Sequence, residues 1–293
     1  MRSNAAAKEV RNAVLSKWGS EVIGIALFGS FVRGKEYKDI DVLVVLEAIK
    51  KSRMKRIKDI VEIKRALDFP TDVLLVSREE CQDNFRSHNP LFLDIASEGK
   101  VIYDKGFLKE LMREITVELH QNRIKKKASM WMFPVKDRTP TPLSDITNRD
   151  WARYWLQDST RDLMAAEYLF KERLHEKAVY HCQQSVEKAI KAVLICFGIY
   201  EKTHYVATIL KREVKTRRMK EYAGKLEEMI GIAEELEPHV SFSRYPGVSK
   251  GEVWLPSKEY TYRMAEDALK NAQKAVKIGK DFVKWWFKSK LQS

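Results

Sequence analysis

The sequence lacks long apolar runs and paired cysteines. Its longest apolar stretches have the length of a strand, and none approaches the roughly 18 consecutive residues that a membrane-spanning helix requires, so no membrane contact is expected. The N-terminus has no apolar segment of the kind that signal peptides contain. Cys81, Cys182 and Cys196 form no C-x-x-C pair and leave one cysteine unmatched, which argues against a disulfide framework and favours a cytoplasmic location.

Zinc-ligand spacing, internal repeats and low-complexity tracts are also missing. What is present is an excess of positive charge, with 54 Lys and Arg against 41 Asp and Glu, for a formal net charge of +13. The excess is +3 in residues 1–105, +3 in 106–150 and +7 in 151–293, so it is not confined to a tail. A cationic surface favours phosphate-bearing partners, including nucleic acid, and a solvated Lys-rich surface is an equally good interpretation.

The spacing of apolar residues predicts an α/β region in the first third of the chain. Before residue 106, strand-length apolar runs alternate with segments of helical spacing, at 4–18, 22–28, 39–46, 53–67, 71–76 and 101–103. Such alternation is typical of an α/β domain, here with a small mixed sheet.

After Gly106 the strand signals stop. Residues 107–127 have helical spacing, three prolines mark 133–145 as a linker, and helical spacing returns from Trp151 onward. We therefore predict an α/β domain at 1–105, a connecting helix and linker at 106–145, and an all-α bundle at 146–293.

The first chemically suggestive feature follows the first predicted strand. Gly29 and Ser30 come directly after Leu27 and Phe28. Glycine lets a phosphate chain approach the backbone closely, and Ser30 adds a hydroxyl donor. The pair alone indicates little, because most Gly-Ser pairs after strands are ordinary turns.

Two carboxylates open the second predicted strand. Asp39 and Asp41 stand at i and i+2, so in a strand they face the same side, at the end of an otherwise apolar run. At about 5 Å and an effective dielectric constant near 20, their repulsion is about 3 kcal/mol. Bound Mg²⁺ would remove this conflict, because hard cations prefer carboxylate oxygens. The alternative is a solvent-facing edge strand with two incidental acids.

A third carboxylate, Asp72, opens the strand that follows the break at Phe69-Pro70. If this strand lies beside the second one, Asp72 joins Asp39 and Asp41. Three acids can hold two Mg²⁺ ions, or hold them while one acid accepts a proton from an attacking hydroxyl. Otherwise Asp72 is an ordinary residue of the turn between helix and strand.

Together these residues resemble the polymerase-beta-type nucleotidyltransferases, and most closely the minimal nucleotidyltransferases. The resemblance covers about residues 20–80 and is carried by Gly29-Ser30-x-x-Arg33-Gly34, Asp39-x-Asp41 and Asp72. It implies a triphosphate site that includes Gly29, Ser30 and Arg33, and a catalytic metal site of Asp39, Asp41 and Asp72. Eight residues separate Ser30 from Asp39, where ten is the commoner spacing.

The resemblance implies a Mg²⁺-dependent enzyme that transfers a nucleoside monophosphate, AMP from ATP, to a hydroxyl acceptor. The sequence does not identify that acceptor, which a protein tyrosine, an RNA or a small molecule could provide. A second hypothesis is a nucleotide- or nucleic-acid-binding regulator of toxin–antitoxin type whose catalysis has lapsed. The three intact aspartates favour the enzyme.

The helical half resembles the HEPN domain, a module often fused to minimal nucleotidyltransferases. The resemblance covers about residues 150–285 and is carried by Asp162-Leu163, Ala165-Ala166, Gln183-Gln184-x-x-Glu187-Lys188-Ala189, His204 and Arg244-Tyr245-Pro246. Independently of the family, one helix face carries Gln184, Lys188 and Lys191. With Arg244 and His204 this face predicts a nucleotide or phosphate pocket, unless it meets solvent or a second subunit.

Two further expectations concern the helical half. HEPN ribonucleases use an Arg followed four to six residues later by His, but no His follows Arg244, and Arg113 and His120 precede the domain. This third function is therefore disfavoured. HEPN domains commonly pair, and the final turns of the segment 265–287 are apolar over more than one face. Either another helix of the same chain or a second subunit must bury this surface, and we expect a homodimer.

Overall fold

The computed structural model divides the chain into two units, Met1–Ile124 and Lys125–Ser293. It describes residues 2–34, 37–50, 52–217, 219, 221–249 and 252–288. Within those residues no helix has the length and the apolar character needed to cross a membrane. The finer division into 1–105, 106–145 and 146–293 stays a prediction.

The first unit is built on a four-stranded mixed sheet, as the sequence predicts. Its strands are β1 (Val22–Phe28), β2 (Ile40–Leu46), β3 (Thr71–Ser77) and β4 (Lys100–Asp104), in the order β3-β2-β1-β4. β1 is antiparallel to both β2 and β4, whereas β2 and β3 are parallel. Every residue of β1 is buried, which explains its continuous apolar sequence.

Helices cover both faces of this sheet. They are α1 (Arg2–Trp18), α2 (Gly29–Val32), α3 (Ile57–Arg65), α4 (Arg78–Arg86), α5 (Pro90–Glu98) and α6 (Leu108–Gln121). On one face, Val10 and Val14 of α1 and Ile63 of α3 pack against alternate strand residues. On the other face α6 approaches so closely that a Cβ on Gly24 would lie 2.9 Å from the Leu108 side chain.

Three helices of this unit, α2, α4 and α5, were not predicted. The four-residue α2 lies where the sequence indicated a turn, whereas α4 and α5 both carry start signals. Ser77 and Glu80 form a reciprocal capping box at the start of α4. Before α5, the Asn89 side chain accepts a hydrogen bond from the Leu91 N–H, and Pro90 occupies the first turn. The capping residues are therefore a local sequence signal for these two helices. Nine residues were too few for the spacing of apolar residues to reveal them.

The second unit is mostly helical, which confirms the predicted class. Its helices are α7 (Asn148–Lys171), α8 (His175–Cys196), α9 (Ala207–Arg217), α10 (Ala223–Leu236), α11 (His239–Phe242), α12 (Pro256–Glu259) and α13 (Tyr262–Trp286). α7 and α8 form a hairpin, and α10 and α13 also pack against α8. Most of α8 is consequently buried, including the run from Ala192 to Cys196.

Among the described residues of the second unit there are also five short strands, and the sequence predicted none of them. An antiparallel sheet contains β5 (Lys125–Lys127), β6 (Met130–Met132) and β7 (Ile199–Tyr200), and a hairpin contains β8 (Gly247–Ser249) and β9 (Glu252–Trp254). Strands of two or three residues are too short to show a two-residue period, so pattern reading misses them.

The helix predicted at 107–127 is shorter than expected. α6 ends at Gln121, and Arg123 then adopts a positive φ of 55° that turns the chain. The following basic run forms β5, where the Lys126 ammonium lies 5.5 Å from the centroid of the Trp131 ring. The lysine run therefore belongs to the second unit, where β5 pairs with β6 and this cation–π contact supports the pairing.

The apolar end of α13 is buried within its own unit. The Phe197 ring lies 5.8 Å from Phe282 and 5.1 Å from Trp286, and the Arg138 guanidinium lies 4.2 Å from the Trp285 ring centroid. Neighbouring helices of the same chain thus cover the surface from which the sequence argued for a second subunit. The homodimer remains a prediction that now needs a different surface.

Candidate functional site

The Gly-Ser turn and the three predicted aspartates lie along one edge of the first sheet. β1 ends at this edge, and β2, β3 and β4 all begin there. Gly29 therefore follows the last residue of β1, and Asp39 immediately precedes β2. Asp41 and Asp72 are the second residues of β2 and β3.

Asp41 and Asp72 are register partners on two parallel strands. Residues paired in this way project from the same face of a sheet, so both carboxylates belong to one side of the edge. Asp41 is half-buried, and Asp72 and Asp39 are exposed. The condition set for Asp72, that its strand lie beside that of Asp41, is therefore met.

Gly29 lies directly against the Asp41 carboxylate. Phe28 is the register partner of Asp41, and the chain turns at Gly29 with a positive φ of 76°. A Cβ built at this position would overlap with Oδ2 of Asp41. Both the conformation and the space thus require glycine, and the close approach places an acid beside the turn that carries Ser30.

Arg33 lies one helical turn after Gly29, at the end of α2. Its backbone N–H donates to the Gly29 carbonyl oxygen at 3.4 Å. Its guanidinium Nη1 lies 3.0 Å from Oε2 of Glu98, the last residue of α5. The sequence singled out Arg33 but not Glu98.

The donor set at this edge fits Mg²⁺. Proteins usually bind Mg²⁺ through one or two carboxylates together with substrate phosphate oxygens and water. Asp41 and Asp72 supply two such carboxylates on one face, and Asp39 lies two residues before Asp41. In the part of the chain that the structure describes, no three His, Cys, Asp or Glu are grouped closely enough to hold a metal by themselves.

Within the basic face predicted in the second unit, Lys188 is neutralised by acids from the neighbouring helix, α7. Nζ of Lys188 lies 2.7 Å from Asp158 Oδ2 and 2.6 Å from Asp162 Oδ2. Asp162 also lies 3.0 Å from Nδ1 of His181. Although burial opposes ionisation of Asp162, the His181 and Lys188 hydrogen bonds hold its pKa below the ordinary value.

A second group of the same kind surrounds Glu187, which is only 4% exposed. It lies 2.7 Å from Nζ of Lys191 and 2.9 Å from Nδ1 of His204, and it accepts a hydrogen bond from Gln183 Nε2 at 3.1 Å. Burial would raise the pKa of Glu187, but the charge of Lys191 and these hydrogen bonds outweigh it and lower the pKa. Lys191 also lies 5.4 Å from the Trp155 ring centroid.

The remaining predicted binding residues have partners of their own. Gln184 Nε2 donates to Gln183 Oε1 at 2.6 Å. The Arg244 guanidinium lies 5.4 Å from the Tyr180 ring centroid and 4.9 Å from that of Tyr245. The face that the sequence predicts as a phosphate pocket thus carries two His–carboxylate–Lys groups, in which each lysine is already paired with an acid.

Comparison with known proteins supplies a family for each unit. Residues 7–103 match the model of the nucleotidyltransferase domain, and residues 152–282 match that of the HEPN domain. A candidate toxin of Methanocaldococcus jannaschii is 37% identical over 138 residues, which is 47% of this chain and 91% of that protein. A candidate protein adenylyltransferase of the same organism is 33% identical over 105 residues, which is 34% of this chain and 71% of that protein.

The chain belongs to the nucleotidyltransferase and HEPN families. Its first unit contains the nucleotidyltransferase domain, and its second contains the HEPN domain. Among solved structures, an archaeal HEPN homologue is 26% identical, and the match covers 45% of this chain and 97% of that one with a TM-score of 0.35. Both predicted resemblances are confirmed, and the chain is a nucleotidyltransferase.

The sequence did not reveal that Asp158 and Asp162 neutralise Lys188, although a signal existed. Asp158 and Asp162 stand at i and i+4 on α7, so they share a helix face. Nothing in the local sequence indicates that this face meets Lys188, since that contact depends on how α7 and α8 pack.

We expect Gly29→Ala in the nucleotidyltransferase unit to displace the Asp41 carboxylate and to abolish Mg²⁺-dependent nucleotide binding. Gly34→Ala is the matched control, because Gly34 also has a positive φ, of 66°, but has nothing within 4 Å of a built Cβ. The control carries only the backbone cost of about 1–2 kcal/mol. Urea unfolding and ATP titration with Mg²⁺ measure the two effects. Equal losses of binding in both variants would contradict the contact with Asp41.

We expect the stability of the HEPN unit to fall below about pH 4.5 in a way that depends on Glu187. Its folded pKa lies below the ordinary value of 4.5, so its stabilising effect is complete above that value and is lost as the pH falls through the folded pKa. Glu187→Gln should lower the free energy of unfolding at pH 7 and make its decrease at acid pH smaller. Urea unfolding between pH 3 and 7 tests this, with Glu227→Gln at an exposed position as the control. An unchanged decrease of stability at acid pH in Glu187→Gln would contradict the prediction.

Proposed function

We propose that the nucleotidyltransferase unit transfers AMP from ATP to a hydroxyl group in the presence of Mg²⁺. The observation that supports this best is the pairing of Asp41 with Asp72 on one face of the sheet, next to the Gly29 turn. The acceptor oxygen attacks the α-phosphorus, and the bond to the leaving pyrophosphate breaks. The hydroxyl proton passes to one of the carboxylates.

Each predicted residue has a distinct role in this proposal. Gly29 and Ser30 bind the triphosphate through the turn and the hydroxyl, and Arg33 binds it through its guanidinium. The metal ligands are Asp39, Asp41 and Asp72. Two bound Mg²⁺ ions would neutralise charge on the triphosphate and on the attacking oxygen.

We infer that the acceptor is a protein hydroxyl, with a tyrosine of the HEPN unit as the first choice. Relatives of the two units are described as a candidate protein adenylyltransferase and a candidate toxin, and here both families occupy one chain. Linking them gives the acceptor a high effective concentration. Four HEPN tyrosines besides Tyr168 have accessible side chains, namely Tyr154, Tyr205, Tyr245 and Tyr262. ATP, Mg²⁺ and the three buried thiols all fit a cytoplasmic location.

Incubation with each α-labelled nucleoside triphosphate and Mg²⁺ tests the enzyme and its base preference. We expect label on the protein from ATP, release of pyrophosphate, and an adenylylated tyrosine peptide in the mass spectrum. Asp41→Asn and Asp72→Asn should reduce both signals at least about a hundredfold, because the developing charge then lacks its metal ligands. Asp83→Asn, an exposed acid on α4, is the control.

Three other outcomes would contradict parts of this proposal. Pyrophosphate release that needs added RNA or a small molecule would exclude the tyrosine acceptor but not the enzyme. Equal signals in Asp41→Asn and the Asp83→Asn control would contradict the site. Nucleotide binding without any transfer would favour the regulator whose catalysis has lapsed.

We also propose that the HEPN unit forms a homodimer through α7. This helix exposes Met164 by 62% and Tyr168 by 66%, and because they stand at i and i+4 they form one apolar surface that their own unit does not cover. A two-fold contact is the commonest way to bury such a surface in a soluble oligomer.

Light scattering at micromolar concentration decides whether this dimer exists. We expect the wild type to have twice the chain mass of 34.2 kDa. The double variant that carries both Met164→Asp and Tyr168→Asp should have the mass of a monomer. Met54→Asp, at a residue of the nucleotidyltransferase unit that is 75% exposed, should stay dimeric. A monomeric wild type would refute the dimer.

A further inference from the structure

The ion pair between Arg33 and Glu98 lies at the same sheet edge as the aspartates. Nη1 of Arg33 and Oε2 of Glu98 are 3.0 Å apart, and the two side chains are 39% and 27% exposed. The pair joins the segment that follows β1 to the residue that ends α5. It is therefore a contact between two separate elements of the proposed triphosphate site.

The sheet places Glu98 beside the Gly29 turn. Lys100, the first residue of β4, is the antiparallel partner of Leu27 in β1. Residues just before Lys100 must then lie beside residues just after Leu27, which include Gly29. The Gly99 N–H donates to the Ile95 carbonyl at 2.8 Å and closes α5 immediately before the strand. The position of Glu98 thus follows from strand register and not from a long loop.

Glu98 has an unfavourable place in its own helix. It is the last residue of α5, and the carbonyl groups at a helix C-terminus carry partial negative charge, which disfavours an acid there. Contact with the Arg33 guanidinium offsets part of this repulsion. Helix electrostatics therefore give no reason for an acid at this position, whereas the contact across the site does.

The contact with Glu98 engages one nitrogen of the Arg33 guanidinium. A guanidinium has five N–H donors in a planar fork and binds phosphate with two parallel hydrogen bonds. Because the Arg33 side chain is 39% exposed, an incoming anion can reach it while Glu98 stays in contact. Fixing a long side chain in advance reduces the conformational entropy that is lost when the ligand binds.

We propose that Glu98 is a positioning residue, which holds Arg33 at the sheet edge so that its guanidinium meets the triphosphate of the incoming nucleotide. This inference rests on the proposed function, in which Arg33 binds the triphosphate. It adds a fourth carboxylate to the site, one that acts through an arginine and not through a metal ion.

The test is a comparison of Glu98→Ala and Glu98→Gln in the full chain, with ATP affinity measured by titration calorimetry and KM and kcat by pyrophosphate release. We expect Glu98→Ala to raise the ATP Kd and KM about two- to fivefold, the factor that corresponds to an exposed ion pair, and to leave kcat nearly unchanged. Glu98→Gln should lie between it and the wild type, because the amide oxygen still accepts a hydrogen bond. In an Arg33→Gln background, Glu98→Ala should have no further effect.

Glu110→Ala serves as the control, since it breaks a comparable exposed pair, Glu110 with Arg113 on α6. Melting temperatures of all variants show whether a raised KM reflects unfolding. A lower KM in Glu98→Ala would mean that the acid competes with phosphate. An equal rise of KM in the wild-type and Arg33→Gln backgrounds would mean that Glu98 acts elsewhere. Either result overturns the inference. If the wild type is active and Glu98→Ala has an unaltered KM, the inference about Glu98 is overturned but the proposed function is not. A wild type that neither binds ATP nor releases pyrophosphate overturns the proposed function as well.

Discussion

The nucleotidyltransferase site depends on one close contact, between the backbone of Gly29 and the carboxylate of Asp41. Because no side chain fits at Gly29, the turn after β1 can lie against an acid of β2. The antiparallel pairing of these strands places the end of one beside the start of the other. The parallel addition of β3 then puts Asp72 at the same edge. The Gly29 turn and the carboxylates proposed to hold the metal thus become neighbours through strand direction and the absence of a side chain at Gly29.

In the HEPN unit, the charged groups of the predicted site are paired with one another. This part of the chain carries a large share of the basic excess, yet Lys188 and Lys191 are each held by carboxylates. A buried Glu187 without these partners would be strongly disfavoured, since an isolated ion loses its hydration on burial. The lysines therefore stabilise the packing of the helical hairpin. Net charge alone is a poor guide to where an anion binds on this unit.

The two sites also differ in how far the sequence could predict them. Asp39, Asp41 and the Gly29 turn could be recognised because a two-residue period and a glycine after an apolar run are local signals. Glu98 stands 65 residues from Arg33, and only the register of β4 against β1 brings them together. Strand register is a long-range property that local spacing does not contain.

The sequence by itself determined the two families, the mixed sheet, the helical class of the second unit and the residues that carry the motif. The tertiary structure decided which residues these motifs and helix faces contact. It paired Asp41 with Asp72 across two strands. By packing α7 against α8 it also placed Asp158 and Asp162 on Lys188, whereas Glu187 holds Lys191 from within α8 itself. It also buried the aromatic end of α13 within one chain. The physical reason is that periodicity shows which residues share a face, whereas packing determines what that face meets.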